Sequence, residues 1–327
     1  MKVAQIENNI LVVKDRENET LCGRKGAIVK AYGCGLCGSD IVKLKHNLAK
    51  EGSVLGHEIV GRIVELNTDT DFKIGDIIVT SHHIPCGKCE YCKNGNVSMC
   101  RHFKETNIKP GGFSEYVFVS EEHLKNVAYP KPQNLTDDEA AFYEPLGCCI
   151  RAIHRASLNE NSTALVIGLG SIGILMAQAL KSFGIKVIGC DLISARIDLL
   201  KKLGIEAFHV NEMCESIKAD GVFMTSGSDK AIPTALKYVR DGGKILVFSS
   251  TPQNFGYQNN EIYYRELTVL GSYSPSPAVL KESLELLKTK QVKVNGLSDI
   301  YPLEQIQKAI NDTVDNKILK AYIKISE

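Results

Sequence analysis

The chain has 327 residues, 44% of them hydrophobic and 24% charged, with a net charge of +1 at pH 7. That length is roughly twice one ordinary domain and can bury a large core without covalent staples. The near-neutral balance argues against a strongly basic nucleic-acid surface and against a polybasic membrane patch.

The opening stretch MKVAQIENNILVV lacks the basic, apolar and small-residue regions of a signal peptide. The longest apolar run, ALVIGLGSIGILMAQAL at 164–180, is cut by Gly168, Gly170 and Gly173 into a short strand and a helix. The expectation is a soluble, cytoplasmic chain with no membrane partner. Of eleven cysteines, Cys22, Cys34, Cys148, Cys149, Cys190 and Cys214 follow no framework spacing. In a reducing compartment the clustered remainder reads as metal ligands before it reads as disulfides.

In chain order, ILVV (10–13), AIVKAY (27–32), IVGRIVEL (59–66), GDIIVTS (75–81) and GFSEYVFVS (112–120) are β-branched runs bounded by turn residues. They predict a β-rich, barrel-like domain with long loops. Asn134 or Thr136 can cap a short helix that opens with Asp137, Asp138 and Glu139. From residue 163 the pattern alternates. TALVIGLG (strand), SIGILMAQALKSFG (helix), IKVIGCD (strand) and SARIDLLKKLG (helix) are followed by ADGVFMTSG, a helix near 230–240, GGKILVFSS and ELTVLGS. Alternating strands and helices with apolar strands imply a doubly wound parallel sheet. Two amphipathic helices, 276–291 and 301–314, and a strand at 318–326 close the chain, and this tail can pack back on the first domain.

Gly168, Gly170 and Gly173 form a G-x-G-x-x-G between a strand and a helix, the setting in which that spacing binds a dinucleotide. The backbone of Gly168, Gly170, Ser171, Ile172 and Gly173 would cradle the pyrophosphate at the helix N-terminus. Asp191 ends the next strand, where an acid accepts from the adenosine ribose hydroxyls and repels a 2′-phosphate, which favours NAD over NADP. Arg196 stands five residues on, placed to cover the adenine side or, less in keeping with Asp191, to hold a 2′-phosphate.

Cys86, Cys89, Cys92 and Cys100 follow C-x2-C-x2-C-x7-C. They could be a disulfide knot, a nucleic-acid ribbon or a metal clip; four thiolates close a tetrahedral zinc shell with no vacancy. A second donor group is scattered: Cys37 in GCGLCGSD, His57 and Glu58 in LGHE, and Glu144 in YEPLG. Sulfur, nitrogen and carboxylate donors suit a catalytic zinc with one position open. Cys148 and Cys149 are competing candidates for the last ligand.

GCGLCGSD, LGHE, the four-cysteine run, EPLGC and GLGSIG, in this order, resemble the zinc-dependent medium-chain dehydrogenases over nearly the whole chain. EPL before the first nucleotide-binding strand and GCDLISARIDLLKKLG after it resemble the polyol branch, with its sorbitol, threonine and cyclitol dehydrogenases. The resemblance implies an α/β chain with a β-rich GroES-like catalytic domain (1–148 and 275–327, with a structural zinc lobe at 86–100) and a doubly wound Rossmann domain (149–274). It implies two zinc ions and NAD. Counterparts of Cys37, His57 and Glu144 hold the catalytic zinc, and that of Glu58 joins it or approaches it during turnover. The four cysteines then hold the structural zinc, since few basic and aromatic residues surround them. Ser39 resembles the family's proton-relay hydroxyl. Val42 stands where some relatives end that relay with a histidine, which leaves His46 or water as the exit. His82, four residues before Cys86, matches a position bordering the substrate pocket. The implied reaction is hydride transfer between a secondary alcohol (polyol, cyclitol or sugar-like, with threonine or a simple secondary alcohol as the alternative) and NAD, in a homodimer or homotetramer without nucleic acid.

Overall fold

The computed structural model describes residues 1–249 and 256–326. Its strands are β1 (Lys2–Glu7), β2 (Ile10–Asp15), β3 (Gly26–Gly35), β4 (Glu58–Asn67), β5 (Ile77–Thr80), β6 (Tyr116–Ser120) and β7 (Ala128–Pro130). There follow β8 (Thr163–Ile167), β9 (Lys186–Asp191), β10 (Glu206–His209), β11 (Ala219–Met224), β12 (Val239–Val247), β13 (Thr268–Gly271), β14 (Asp299–Pro302) and β15 (Ala321–Lys324). The short strands β1, β7, β10 and β14 have too little apolar alternation to stand out in the sequence. β12 begins directly after the helix Ala231–Tyr238, three residues before the run 242–250 in which a strand is expected. Ser250, at the end of that run, lies outside the described residues.

The contacts divide the chain into two compact units. The first comprises Met1–Pro145, Ser276–Lys288 and Val294–Glu327; the second comprises Leu146–Pro275 and Thr289–Lys293. The sequence expectation set the boundaries at 148/149 and 274/275, and it did not separate residues 289–293 from the tail.

In the first unit β1 pairs with β2, and a larger sheet runs β14-β15-β3-β4-β5-β7, with β6 also on β3. Along β3 the residues Ala27, Val29 and Ala31 face one way, as the two-residue strand period requires, and pack with Ile59, Ile63, Val117 and Val119. Cys34 belongs to a second cluster with Phe113, Ile306, Ile310 and Ile323. The end of β3 matters most for function. Gly35 is paired with Glu58 at the start of β4 and with Tyr322 of β15, so three chain segments far apart in sequence meet there.

In the second unit six strands run parallel in the order β10-β9-β8-β11-β12-β13. Leu165 and Val166 of β8 and Val222 of β11 are fully buried, each contributing about 1.5–3 kcal/mol by leaving water. Burial on both faces explains their unbroken apolar runs. The order reverses beside β8, with β9 on one flank and β11 on the other. Such a reversal marks the ligand-binding end of an open parallel sheet.

Candidate metal centres and cofactor loop

Cys37 is the N-cap of the helix Gly38–Lys45, in the place usually held by serine, threonine or an acid. Its Sγ accepts from the Ser39 N–H at 3.5 Å, and the Asp40 carboxylate accepts from the Cys37 N–H at 3.3 Å. Asp40 is fully buried, and its other oxygen lies 3.5 Å from Nδ1 of His57. One acid therefore caps the helix start and places its charge beside the imidazole. Burial disfavours the charged imidazole, but Asp40 and then Cys37 outweigh it and hold the His57 pKa well above its ordinary value. Burial likewise raises Asp40, and His57 reverses that, leaving the carboxyl below its ordinary value. Asp40 was not singled out from the sequence, although an acid three positions after a cap is a readable signal.

Donor atoms of Cys37, His57 and Glu58 lie within 4.8 Å of one another. Glu58 is 1% exposed, and Nζ of the buried Lys320 stands 2.5 Å from its Oε2. That approach is off the hydrogen-bonding direction, so neither carboxylate oxygen has an aligned donor among the described residues. Burial lowers the Lys320 pKa, yet Glu58 carries it above the ordinary lysine value. Glu144, second residue of the helix Tyr143–Ala156, is also buried but lies outside the set formed by Cys37, His57 and Glu58. Of the four residues the resemblance gives to this ion, Cys37, His57 and Glu58 come together in one group and Glu144 is not part of it. Cys148 and Cys149, in the later turns of the same helix, are outside the set as well.

Soft, borderline and hard donors together, with lone pairs left over on a buried carboxylate, fit a zinc ion. His82 lies beside this centre. Its ring centroid is 4.5 Å from that of His57 and 3.9 Å from that of His83, which in turn is 4.8 Å from Phe103. Burial, then the charge of His57, pushes the His82 pKa well down, keeping the ring neutral. Ser39 is exposed two residues after Cys37, Val42 is half-buried, and His46 is exposed at the end of the same helix.

The thiols of Cys86, Cys89, Cys92 and Cys100 also lie within 4.8 Å of one another, and none is in a disulfide. They sit on two tight turns, the short helix Glu90–Lys93 and the 3-10 turn Val97–Met99. Burial opposes ionisation of Cys100, but N–H groups of Cys86 and Phe103 bring its pKa down to about 6. Burial and the Cys89 thiol hold Cys92 up to about 12. So crowded a set cannot ionise throughout without a cation, and four sulfurs fit a closed zinc shell.

In the second unit Gly168 follows β8 at φ +92°, where a side chain would be strained. A Cβ on Gly173 would overlap the carbonyl oxygen of Gly168, so the helix Ser171–Ser182 can start this close only with glycine there. Gly170 caps that helix without any side-chain hydrogen bond, and among the described residues nothing lies within 4 Å of where its Cβ would be. The first N–H groups of the helix have no partner within it, which fits a pyrophosphate at this end. Asp191 ends β9 and accepts from the N–H groups of Leu169 (2.6 Å), Leu192 (2.7 Å) and Ile193 (2.9 Å), with Arg196 at 3.6 Å. A carboxylate has about four acceptor positions, so Asp191 ties the glycine loop to its own strand end and keeps about one for a ligand.

Residues 23–131 match the family model of the alcohol dehydrogenase GroES-like domain, and residues 171–289 match that of the zinc-binding dehydrogenases. The chain is 31% identical to a sorbitol dehydrogenase of Halalkalibacterium halodurans, over 92% of each chain. It is 29% identical to a D-arabitol-phosphate dehydrogenase of Enterococcus avium, over 91% of this chain and 89% of that one. Among solved structures it superimposes on acetophenone reductase from Geotrichum candidum in complex with NAD, with a TM-score of 0.86 at 22% identity over 99% and 96% of the two chains. An end-to-end relationship of this kind, with both domains matched, shows that the chain belongs to the zinc-dependent medium-chain alcohol dehydrogenases, in their polyol-dehydrogenase branch.

Proposed function

We propose that the chain oxidises a secondary hydroxyl of a polyol, cyclitol or sugar-like alcohol with NAD as hydride acceptor, and reduces the matching ketone. The observation that carries this reading is the assembly of Cys37, His57 and Glu58 around one point in a chain that also has the glycine loop and Asp191. Cys37, His57 and Glu58 would hold the catalytic zinc, with Asp40 orienting His57 and Glu144 as a further buried acid. Zinc there supplies a Lewis acid that polarises an alcohol oxygen. The nicotinamide supplies the hydride acceptor. Ser39 would take up the hydroxyl proton, and His46 or water would carry it on in place of a relay histidine at Val42. His82, kept neutral beside His57, presents a polar ring where an aromatic hydrocarbon would favour simpler alcohols.

Cys86, Cys89, Cys92 and Cys100 would hold a second, structural zinc, giving two ions per chain. The acceptor position left on Asp191 supports NAD over NADP, because a 2′-phosphate would meet its negative charge. The edge strand β13 has Val269 38% exposed, and a homodimer or homotetramer joined along such edges would cover it. Among the described residues no helix is long and apolar enough to cross a membrane. Free thiols in both donor groups suit the cytoplasm.

The test is a panel of polyols, cyclitols, sugar acids, threonine and simple secondary alcohols, each offered with NAD and with NADP, beside elemental analysis. Turnover of a polyol with NAD and two zinc per chain is the expected result. Preference for threonine or a simple alcohol would replace the substrate class, and preference for NADP would overturn the reading of Asp191.

A further inference from the structure

We propose that Lys320 is a positioning residue for the first metal centre: its ammonium holds the Glu58 carboxylate and sets how far that carboxylate is shared with an ion on Cys37 and His57. The inference rests on the reading that an ion binds there. Lys320 lies immediately before β15, near the end of the chain, and is 5% exposed. Burying a lysine is costly unless its charge is answered. Three groups answer it: Glu58 Oε2 at 2.5 Å, the carbonyl oxygen of Leu36, to which Nζ donates at 3.2 Å, and the ring of Phe142 at 5.5 Å. Leu36 precedes Cys37 in the chain and Glu58 follows His57, so one ammonium touches both segments that bear the donors.

The carboxylate has little freedom to move elsewhere. A Cβ on Gly35 would overlap Oε2 of Glu58, so the carboxylate fills the space that glycine leaves. Its lone pairs have no aligned donor, which leaves them open to a cation on the side of Cys37 and His57. Without Lys320 the buried Glu58 has the ion as its near cation and swings fully onto it.

The test uses protein with zinc in the cysteine lobe and cobalt(II) at the first centre, whose visible bands weaken as the ion passes from four to five ligands. Lys320→Met should bind cobalt about ten-fold more tightly, as expected from removing one charge at close range in a partly screened site, and should show the weakened bands. Lys320→Arg keeps the charge and should restore the wild-type spectrum. Made on Glu58→Gln, the Lys320→Met change still removes a charge and can tighten binding, but it has no carboxylate to release and should leave the spectrum as it is in Glu58→Gln alone; a weakening of the bands there would overturn the proposal. Wild-type affinity and bands in a folded Lys320→Met would make the lysine a structural strut and overturn the proposal. Should that variant not fold, Lys320→Gln keeps a donor for Leu36 and reads the same bands; a wild-type spectrum there overturns the proposal equally. A wild-type chain that takes up no cobalt outside the cysteine lobe overturns the metal reading itself, and the proposal with it.

Discussion

The two donor groups solve the same problem in opposite ways. Cys86, Cys89, Cys92 and Cys100 are four identical ligands within fifteen residues, set on tight turns, with Cys100 buried and the other three partly covered. Cys37, His57 and Glu58 are three different ligands from two segments, the end of β3 and the start of β4, with His57 and Glu58 buried and close to Asp40 and Lys320. A local thiolate set needs little scaffold, because the ion itself supplies the organisation. A dispersed mixed set needs the sheet to bring its members together and buried counter-charges to hold them. The first arrangement suits stabilisation of a loop, and the second suits an ion that must also meet a substrate.

Removing one ligand from each group is the sharpest way to break this contrast. His57→Ala should lower turnover at least a thousand-fold and remove one zinc per chain, while the cysteine lobe keeps its own; mass spectrometry under native conditions and initial rates check both. Cys89→Ser should act the other way. It is expected to cost several kcal/mol of stability, since a structural ion contributes folding energy, while the molecules that remain folded turn over within about two-fold of wild type. Equal loss of turnover in the two variants would erase the distinction.

Two smaller effects sharpen it. Asp40→Asn keeps the shape of the acid but loses its charge on His57, and should weaken zinc binding or activity about 10- to 100-fold, read by competition with a chelator. His83 lies between the two centres, and burial, opposed by its hydrogen bond to the Thr106 carbonyl, lowers its pKa from 6.5 to about 4. The unfolded chain therefore binds this proton first, so stability is complete above about pH 6.5 and is lost as the pH falls toward 4. His83→Gln should flatten that acid limb in thermal melts across the window, with little change at neutral pH.

What could be read in advance divides along the same line. The glycine loop, Asp191 and the four-cysteine spacing are local patterns, and the turns that carry them are encoded in the residues that make the site. Glu58 and Glu144 could not be ranked that way, because Glu58 reaches Cys37 only through the pairing of β3 with β4 and Glu144 stands on a helix far along the chain. Lys320 was beyond reach altogether, since 284 positions separate it from Leu36 and only the pairing of β15 with β3 brings them together. Asp40 could have been found as a capping acid, though nothing in its spacing announces that it also faces His57.

That Cys37 begins a helix as well as offering a sulfur has one more consequence. Serine at this position could still receive the Ser39 amide, so the turn would survive while the soft donor vanished. Chain geometry and ion affinity are thereby separable at a single atom, and Cys37→Ser offers an emptied centre on an undisturbed backbone.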